Sequence, residues 1–363
     1  MNPVEAWTQW ASPYGLPDAE KQPYLLPQLD ALTRHHYARC DAFRAVVDRV
    51  FGGLKPSAYE RLDELPFIPV SLFKERTLAS VPQDEVFKVL TSSGTTGQRV
   101  SRILLDRATA DLQAKALVKI TQHYVGRERL PMVVLDSPEV VKDRTTFSAR
   151  GAGILGMMQF GRQPCYALDA SMQLAADHVA DYLRAHAGKP VLFFGFTFIA
   201  WFHVIQALAG RGLALPANRG LLIHSGGWKK LENERVSREQ FAAAARRTLG
   251  VERVVNFYGM VEQVGSVFYE NALGYLQAPV FADVVVRDPH TLRPLPPGET
   301  GLLQVFSILP RSYPGHSLLT ADLGRVVGVD APEAGGYGRY FEVQGRAPRV
   351  EVRVCSDTYE HAS

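Results

Sequence analysis

The sequence predicts an α/β protein with a largely parallel sheet, followed by a β-rich portion. Strand-like and helix-like patterns alternate between about residues 130 and 257. From about 275 the texture changes to short β-like pieces punctuated by proline and glycine. Alternation of this kind builds a sheet layered with helices, and such sheets bind ligands beyond the carboxyl ends of their strands.

Taken in order, residues 1 to about 85 carry helical spacing broken by prolines, as in Leu26, Leu29, Leu32 and His36, then Ala42, Val46 and Val50 before Gly52-Gly53. Leu65 to Lys74 holds Pro66 and Pro69, which forbid a regular element and imply an extended segment leading toward residue 91. Helices are expected at 107–124, 171–187, 198–210 and 237–249, and strands at 132–136, 191–195, 220–224 and 253–257. Ala282 to Val286 and Gly301 to Phe306 read as strands of the β-rich portion. The expected segments are 1–85, 86–275, 276–344 and a tail at 345–363.

The 363 residues are 46% hydrophobic and 21% charged, with a formal charge of +3. That balance is too mild to imply nucleic acid, and no basic run interleaved with aromatics supports it. The N-terminus lacks a basic start and a long apolar core, so neither a signal peptide nor a membrane span is expected and the cytoplasm is the expected location. Cys40, Cys165 and Cys355 form no Cys-x-x-Cys pair, which argues against a disulfide framework or structural zinc.

The chemistry-bearing stretch is Thr91-Ser92-Ser93-Gly94-Thr95-Thr96-Gly97, set between two apolar-leaning strands. Its glycines let successive N–H groups turn toward one point while five hydroxyls add donors, an arrangement suited to anionic oxygens. No Gly-Lys-Ser/Thr comes after it, so it is not a Walker loop. The bland alternative is a solvated turn. Three further segments fall at expected strand ends or turns: His224 to Lys230 with Gly226-Gly227, Tyr258-Gly259-Met260-Val261-Glu262, and Leu319 to Gly324 with Asp322 in a β-turn setting. Each has its own plain reading: a turn, a core aromatic, a solvated acid, a turn residue.

In this order, the hydroxyl-rich glycine loop, Tyr258-Gly259-x-x-Glu262, Thr320-x-Asp322 and Gly345-Arg346 resemble the adenylate-forming superfamily of acyl and aryl ligases over about residues 65–355. The resemblance implies an adenylate-forming large domain of layered α/β subdomains and a β-rich subdomain, using ATP and Mg²⁺. It implies that residues Thr91 to Gly97 close on the β- and γ-phosphates, and that Gly226, Gly227, Tyr258 and Gly259 frame adenine. Glu262 would hold Mg²⁺, and Asp322 with Arg346 would bind the ribose. Val261 and Gln344 depart from the common pattern, and only seventeen residues come after Arg346, where the superfamily carries a lysine-bearing small domain.

In Val350-Glu351-Val352-Arg353-Val354-Cys355, alternation separates the valines from a polar face holding Glu351, Arg353 and Cys355. Arg353 favours a thiolate there and Glu351 opposes it; the alternative is an incidental tail cysteine. A truncated adenylating domain with such a cysteine resembles the LuxE family of acyl-protein synthetases. The segments 68–74, Phe147 to Gly156 and Gly227-Trp228-Lys229-Lys230 resemble that branch too. The likeness implies formation of acyl-AMP from a carboxylic acid, transfer to Cys355 as a thioester, and delivery to a reductase. Transfer to coenzyme A or a carrier protein, and a non-catalytic nucleotide-binding subunit, are the competing functions. Phe193, Phe194, Phe196, Phe198, Trp201 and Phe202 are candidates to line an acyl slot, or else simple core.

Overall fold

A computed structural model describes residues 3–92, 100–142, 149–228 and 235–347. The chain forms two compact units, one of Thr121–Tyr258 and one of Met1–Ile120 with Gly259–Ser363. The cuts fall after residues 120 and 258 because packing joins stretches that lie far apart in sequence.

The unit at 121–258 is built on five parallel strands, in the spatial order Arg253–Tyr258, Arg219–Ser225, Pro190–Phe196, Leu130–Val134 and Gly161–Tyr166. The three central strands are runs of Val, Leu, Ile and Phe because helices cover both faces of such a sheet. Phe193 and Phe194 are wholly buried, which corrects their candidacy for an acyl slot; Phe196, Phe198 and Phe202 are only partly buried. Gly161–Tyr166 escaped the sequence reading. It carries Pro164 and a left-handed Gln163 (φ 50°), both tolerated because this is an edge strand. His224 belongs to the core, bonded through Nδ1 to the Thr197 hydroxyl at 2.9 Å and packed 4.4 Å from the Phe241 ring.

In the other unit, antiparallel strands Ala282–Arg287, Gly301–Ser307, Ser317–Ala331 and Gly336–Arg346 form a ladder, extended by Leu276–Gln277 and Phe268–Glu270. The helix Asp18–Arg39 runs unbroken through Pro23 and Pro27, contrary to the expected breaks. Burial of Leu25, Leu29, Leu32 and His36 along one face outweighs two missing backbone bonds. Residues 65–74 are not extended throughout: Ile68–Pro69 pairs in parallel with Leu318–Leu319, and Leu72–Glu75 is a single helical turn.

Two histidines of this core have rings 4.9 Å apart, His36 bonded to the Ser80 hydroxyl (2.8 Å) and His316 to that of Thr33 (2.9 Å). Burial holds His36 well below the ordinary imidazole range and pushes His316 down to about 3. The unfolded chain therefore binds protons near pH 6.5 that the folded chain refuses. Their contribution is complete above about pH 6.5 and is lost progressively as pH falls below it. Urea midpoints should drop between pH 7 and 5.5, before ordinary carboxylates titrate; equal midpoints would refute this.

Candidate active site

Glu262 sits in a short 3-10 turn, Val261–Gln263, and is only 4% exposed. The turn is fixed through its backbone. The Tyr313 hydroxyl donates to the Glu262 carbonyl (3.0 Å) and receives a bond from Gln113 Nε2 (3.0 Å). Gln263 Nε2 donates to the carbonyls of Val305 (3.1 Å) and Gly315 (2.8 Å), tying the turn to the antiparallel ladder. Gly265 then reverses the chain at φ 85°, where a Cβ would lie 2.6 Å from the Gln113 carbonyl oxygen. Only glycine meets both demands. Tyr313→Phe should cost about 1–2 kcal/mol, since it leaves the Glu262 carbonyl and Gln113 short of a partner; thermal melts check it, and an unshifted midpoint would count against this lock.

The Glu262 carboxyl is raised above its ordinary pKa by burial, opposed by the neighbouring Ser101 hydroxyl, by its own backbone and by the charges of Lys74 and Arg346. Ser101 is fully buried, and its hydroxyl lies beside the Glu262 carboxyl. The same residue closes the stem of the hydroxyl-rich loop: Ser92 N donates to Ser101 O (3.1 Å), and Ser101 N donates to Ser92 Oγ (2.9 Å). Thr91 ends the strand Lys88–Thr91, opposite Arg102. Residues 93–97 of the loop, with Gly94 and Gly97, lie outside the described residues, as do Lys229, Lys230 and Cys355. The loop stem and Glu262 are thus brought together by one serine.

Asp322 is not in a turn. It lies within the long strand Ser317–Ala331, where Thr320, Ala321 and Asp322 stand opposite the single residue Leu303. Such a bulge re-aims side chains without ending the strand, which is why the local sequence reads as a turn. The Thr320 hydroxyl donates to the Leu303 carbonyl (2.9 Å) and accepts from the Asp322 N–H (3.1 Å), fixing the bulge. Asp322 faces Arg346 across the ladder, with Arg346 Nε 3.5 Å from Asp322 Oδ1. Arg346 is mostly exposed, so its guanidinium borders solvent while its charge reaches Glu262. Gly259 opens this unit just before the turn.

In the parallel unit, Gly226 (φ 87°) and Gly227 come directly after the strand Arg219–Ser225, and Tyr258 ends Arg253–Tyr258. Ser225 lies opposite Phe257, so the three residues leave adjacent strands at one edge. Lys74, Ser101, Gln113 and Tyr313 were missed by the sequence reading. Lys74 ends a segment it did single out; the others become significant only once distant stretches meet.

Among the described residues no cluster of three His, Cys, Asp or Glu is built to hold a metal. The buried Glu262 carboxyl with the Ser101 hydroxyl beside it does fit Mg²⁺, which takes one or two carboxylates and draws its other oxygens from phosphate and water.

The fold and sequence have known counterparts. Residues 6–362 match the family model of acyl-protein synthetase, LuxE. A long-chain-fatty-acid–luciferin-component ligase of Vibrio harveyi is 25% identical over 301 residues, 81% of this chain and 76% of that protein. Its namesake from Aliivibrio fischeri is 23% identical over 279 residues, covering 75% and 72%. Among solved structures, an open conformation of 2-hydroxyisobutyryl-CoA ligase, in complex with 2-HIB-AMP and CoA, superposes with a TM-score of 0.68 at 17% identity. The likeness covers 95% of this chain and 76% of that one, which shows the adenylate-forming fold. No helix of the described residues is long and apolar enough to cross a membrane. A family match across nearly the whole length settles the kinship: the chain belongs to the LuxE acyl-protein synthetases, a family of enzymes.

Proposed function

We propose that this enzyme uses ATP to convert a fatty acid into acyl-AMP and then moves the acyl group onto its own Cys355, for delivery to a reductase or other acceptor. The observation that carries the reading is the gathering of the loop stem, the buried Glu262 and the Asp322–Arg346 pair within one unit. The substrate class comes from the names of the relatives.

A carboxylate is already a nucleophile, so the first step needs alignment and charge neutralisation rather than a side-chain base. Its oxygen attacks the α-phosphorus as the bond to the β-phosphate oxygen breaks and pyrophosphate leaves. Mg²⁺ held by Glu262 would neutralise charge on the phosphates. Lys74 and Arg346 bring positive charge to the same carboxylate, and Asp322 would accept bonds from ribose hydroxyls. Gly226, Gly227, Tyr258 and Gly259 keep the proposed adenine role. In the second step the Cys355 thiolate attacks the acyl carbonyl, the carbon–oxygen bond to phosphate breaks, and AMP departs.

The two described cysteines support Cys355 as acceptor. Cys40 and Cys165 are 4% and 3% exposed, and burial raises both thiols, that of Cys165 to about 11. Neither offers a reactive thiolate near neutral pH. Intact mass after incubation with ATP, Mg²⁺ and a panel of fatty and aromatic acids tests the reading. One hydroxylamine-sensitive acyl adduct on the peptide holding Cys355 is expected. No exchange and no adduct with any acid would overturn the ligase reading, and adduct-free transfer to coenzyme A would overturn self-acylation alone.

A further inference from the structure

The helix Ala149–Met158 packs over the carboxyl edge of the parallel sheet in a way its composition makes costly. It contains three glycines in ten residues, and each weakens a helix by about 1 kcal/mol relative to alanine. One of them has a visible reason. A Cβ on Gly153 would stand 2.8 Å from Cζ of Phe196, the last residue of its strand, so the helix backbone lies directly against that ring. The same ring also meets Gly226, whose Cβ would be 3.3 Å from Phe196 Cδ1. The helix is therefore seated at the edge where Gly226, Gly227 and Tyr258 emerge.

One turn before Gly153, on the same side of the helix, is Arg150. Its Nε lies 3.2 Å from Oδ2 of Asp136, two residues past the strand Leu130–Val134. The pair is asymmetric: Asp136 has no exposed surface, whereas a third of Arg150 is open. Burying a carboxylate is expensive, and a surface staple for a helix does not require it. A buried acid 3.2 Å from the inner nitrogen, outside hydrogen-bond geometry, does however hold a planar cation to one side by charge. It leaves both terminal nitrogens, which meet no other partner among the described residues, as a fork shaped for an oxyanion.

We propose that Arg150 binds an oxyanion of the ligase reaction, either the carboxylate of the acid or a phosphate of ATP, and that Asp136 is its positioning residue. This rests on the ligase reading above. The two sources share one chemistry, and kinetics separate them.

Pyrophosphate–ATP exchange is measured for the full-length enzyme and for Arg150→Gln, with acid and ATP varied in turn. A tenfold or greater rise in KM for the acid assigns the fork to the carboxylate; the same rise for ATP assigns it to phosphate. Asp136→Asn should raise the same KM by a smaller factor, since the cation remains but loses its aim. Both KM values within twofold of wild type would overturn the proposal and leave Arg150 a helix staple, whatever the thermal midpoint does. If Arg150→Gln fails to fold, Arg150→Lys, which keeps the charge and loses the fork, is compared in its place, with a threefold rise expected in one KM and no rise overturning the idea. Wild-type enzyme inactive in exchange with every acid would instead sink the ligase reading itself.

Discussion

Glu262→Gln is expected to lower acid-dependent pyrophosphate–ATP exchange by about two orders of magnitude, on the order of 2.7 kcal/mol of transition-state stabilisation. The substitution should leave the fold in place. The described bonds that tie the turn to its surroundings go to backbone or to Gln263: Tyr313 to the Glu262 carbonyl, and Gln263 to Val305 and Gly315. What the variant loses is the negative charge that burial makes costly and that Lys74 and Arg346 offset. Glutamine suits that buried position, so the thermal midpoint should hold or rise while exchange collapses. The pH profile supplies an independent readout. Because burial raises the Glu262 carboxyl, the wild-type rate should fall in acid at a higher pH than an ordinary carboxylate would dictate, and Glu262→Gln should lack that limb. An unchanged exchange rate would remove Glu262 from the mechanism.

Cys355→Ser has the opposite signature. Exchange depends on the first step alone, so it should continue near the wild-type rate, while the hydroxylamine-sensitive acyl label disappears. A serine hydroxyl at neutral pH is far less ionised than a thiol and cannot replace it without a base. Label persisting on Cys40 or Cys165 would refute the acceptor assignment, and those thiols would first have to leave the core in which both are buried. The two variants divide the reaction: one loses activation, the other loses only capture.

How far the sequence could be read depended on whether a signal was local. Central strands such as Val191-Leu192-Phe193-Phe194 announce themselves because both faces are buried and every position is apolar. The edge strand Gly161–Tyr166 has the burial pattern of neither a core strand nor an amphipathic one, and its proline reads as a break. Glu262 was legible as part of an ordered motif, and so were Asp322 and Arg346, whose pairing across the ladder the structure supplies. Asp322 was misplaced in its setting because a strand that carries extra residues in mid-course looks locally like a reversal. Ser101, Gln113 and Tyr313 have no signal of their own. They are an ordinary serine, glutamine and tyrosine until a fold brings positions 101, 113, 262 and 313 together.

The three-against-one arrangement at Thr320, Ala321 and Asp322 has a consequence for how this region can vary. Side chains of a strand alternate between faces, so removing one residue there would exchange inside for outside along the remainder of the strand, or else strip the acid from its place opposite Arg346. Replacing a side chain in the segment is a local event, whereas shortening it is a global one. Related sequences should therefore differ freely in the identity of Ala321 and hardly at all in the spacing from Leu319 to Leu323.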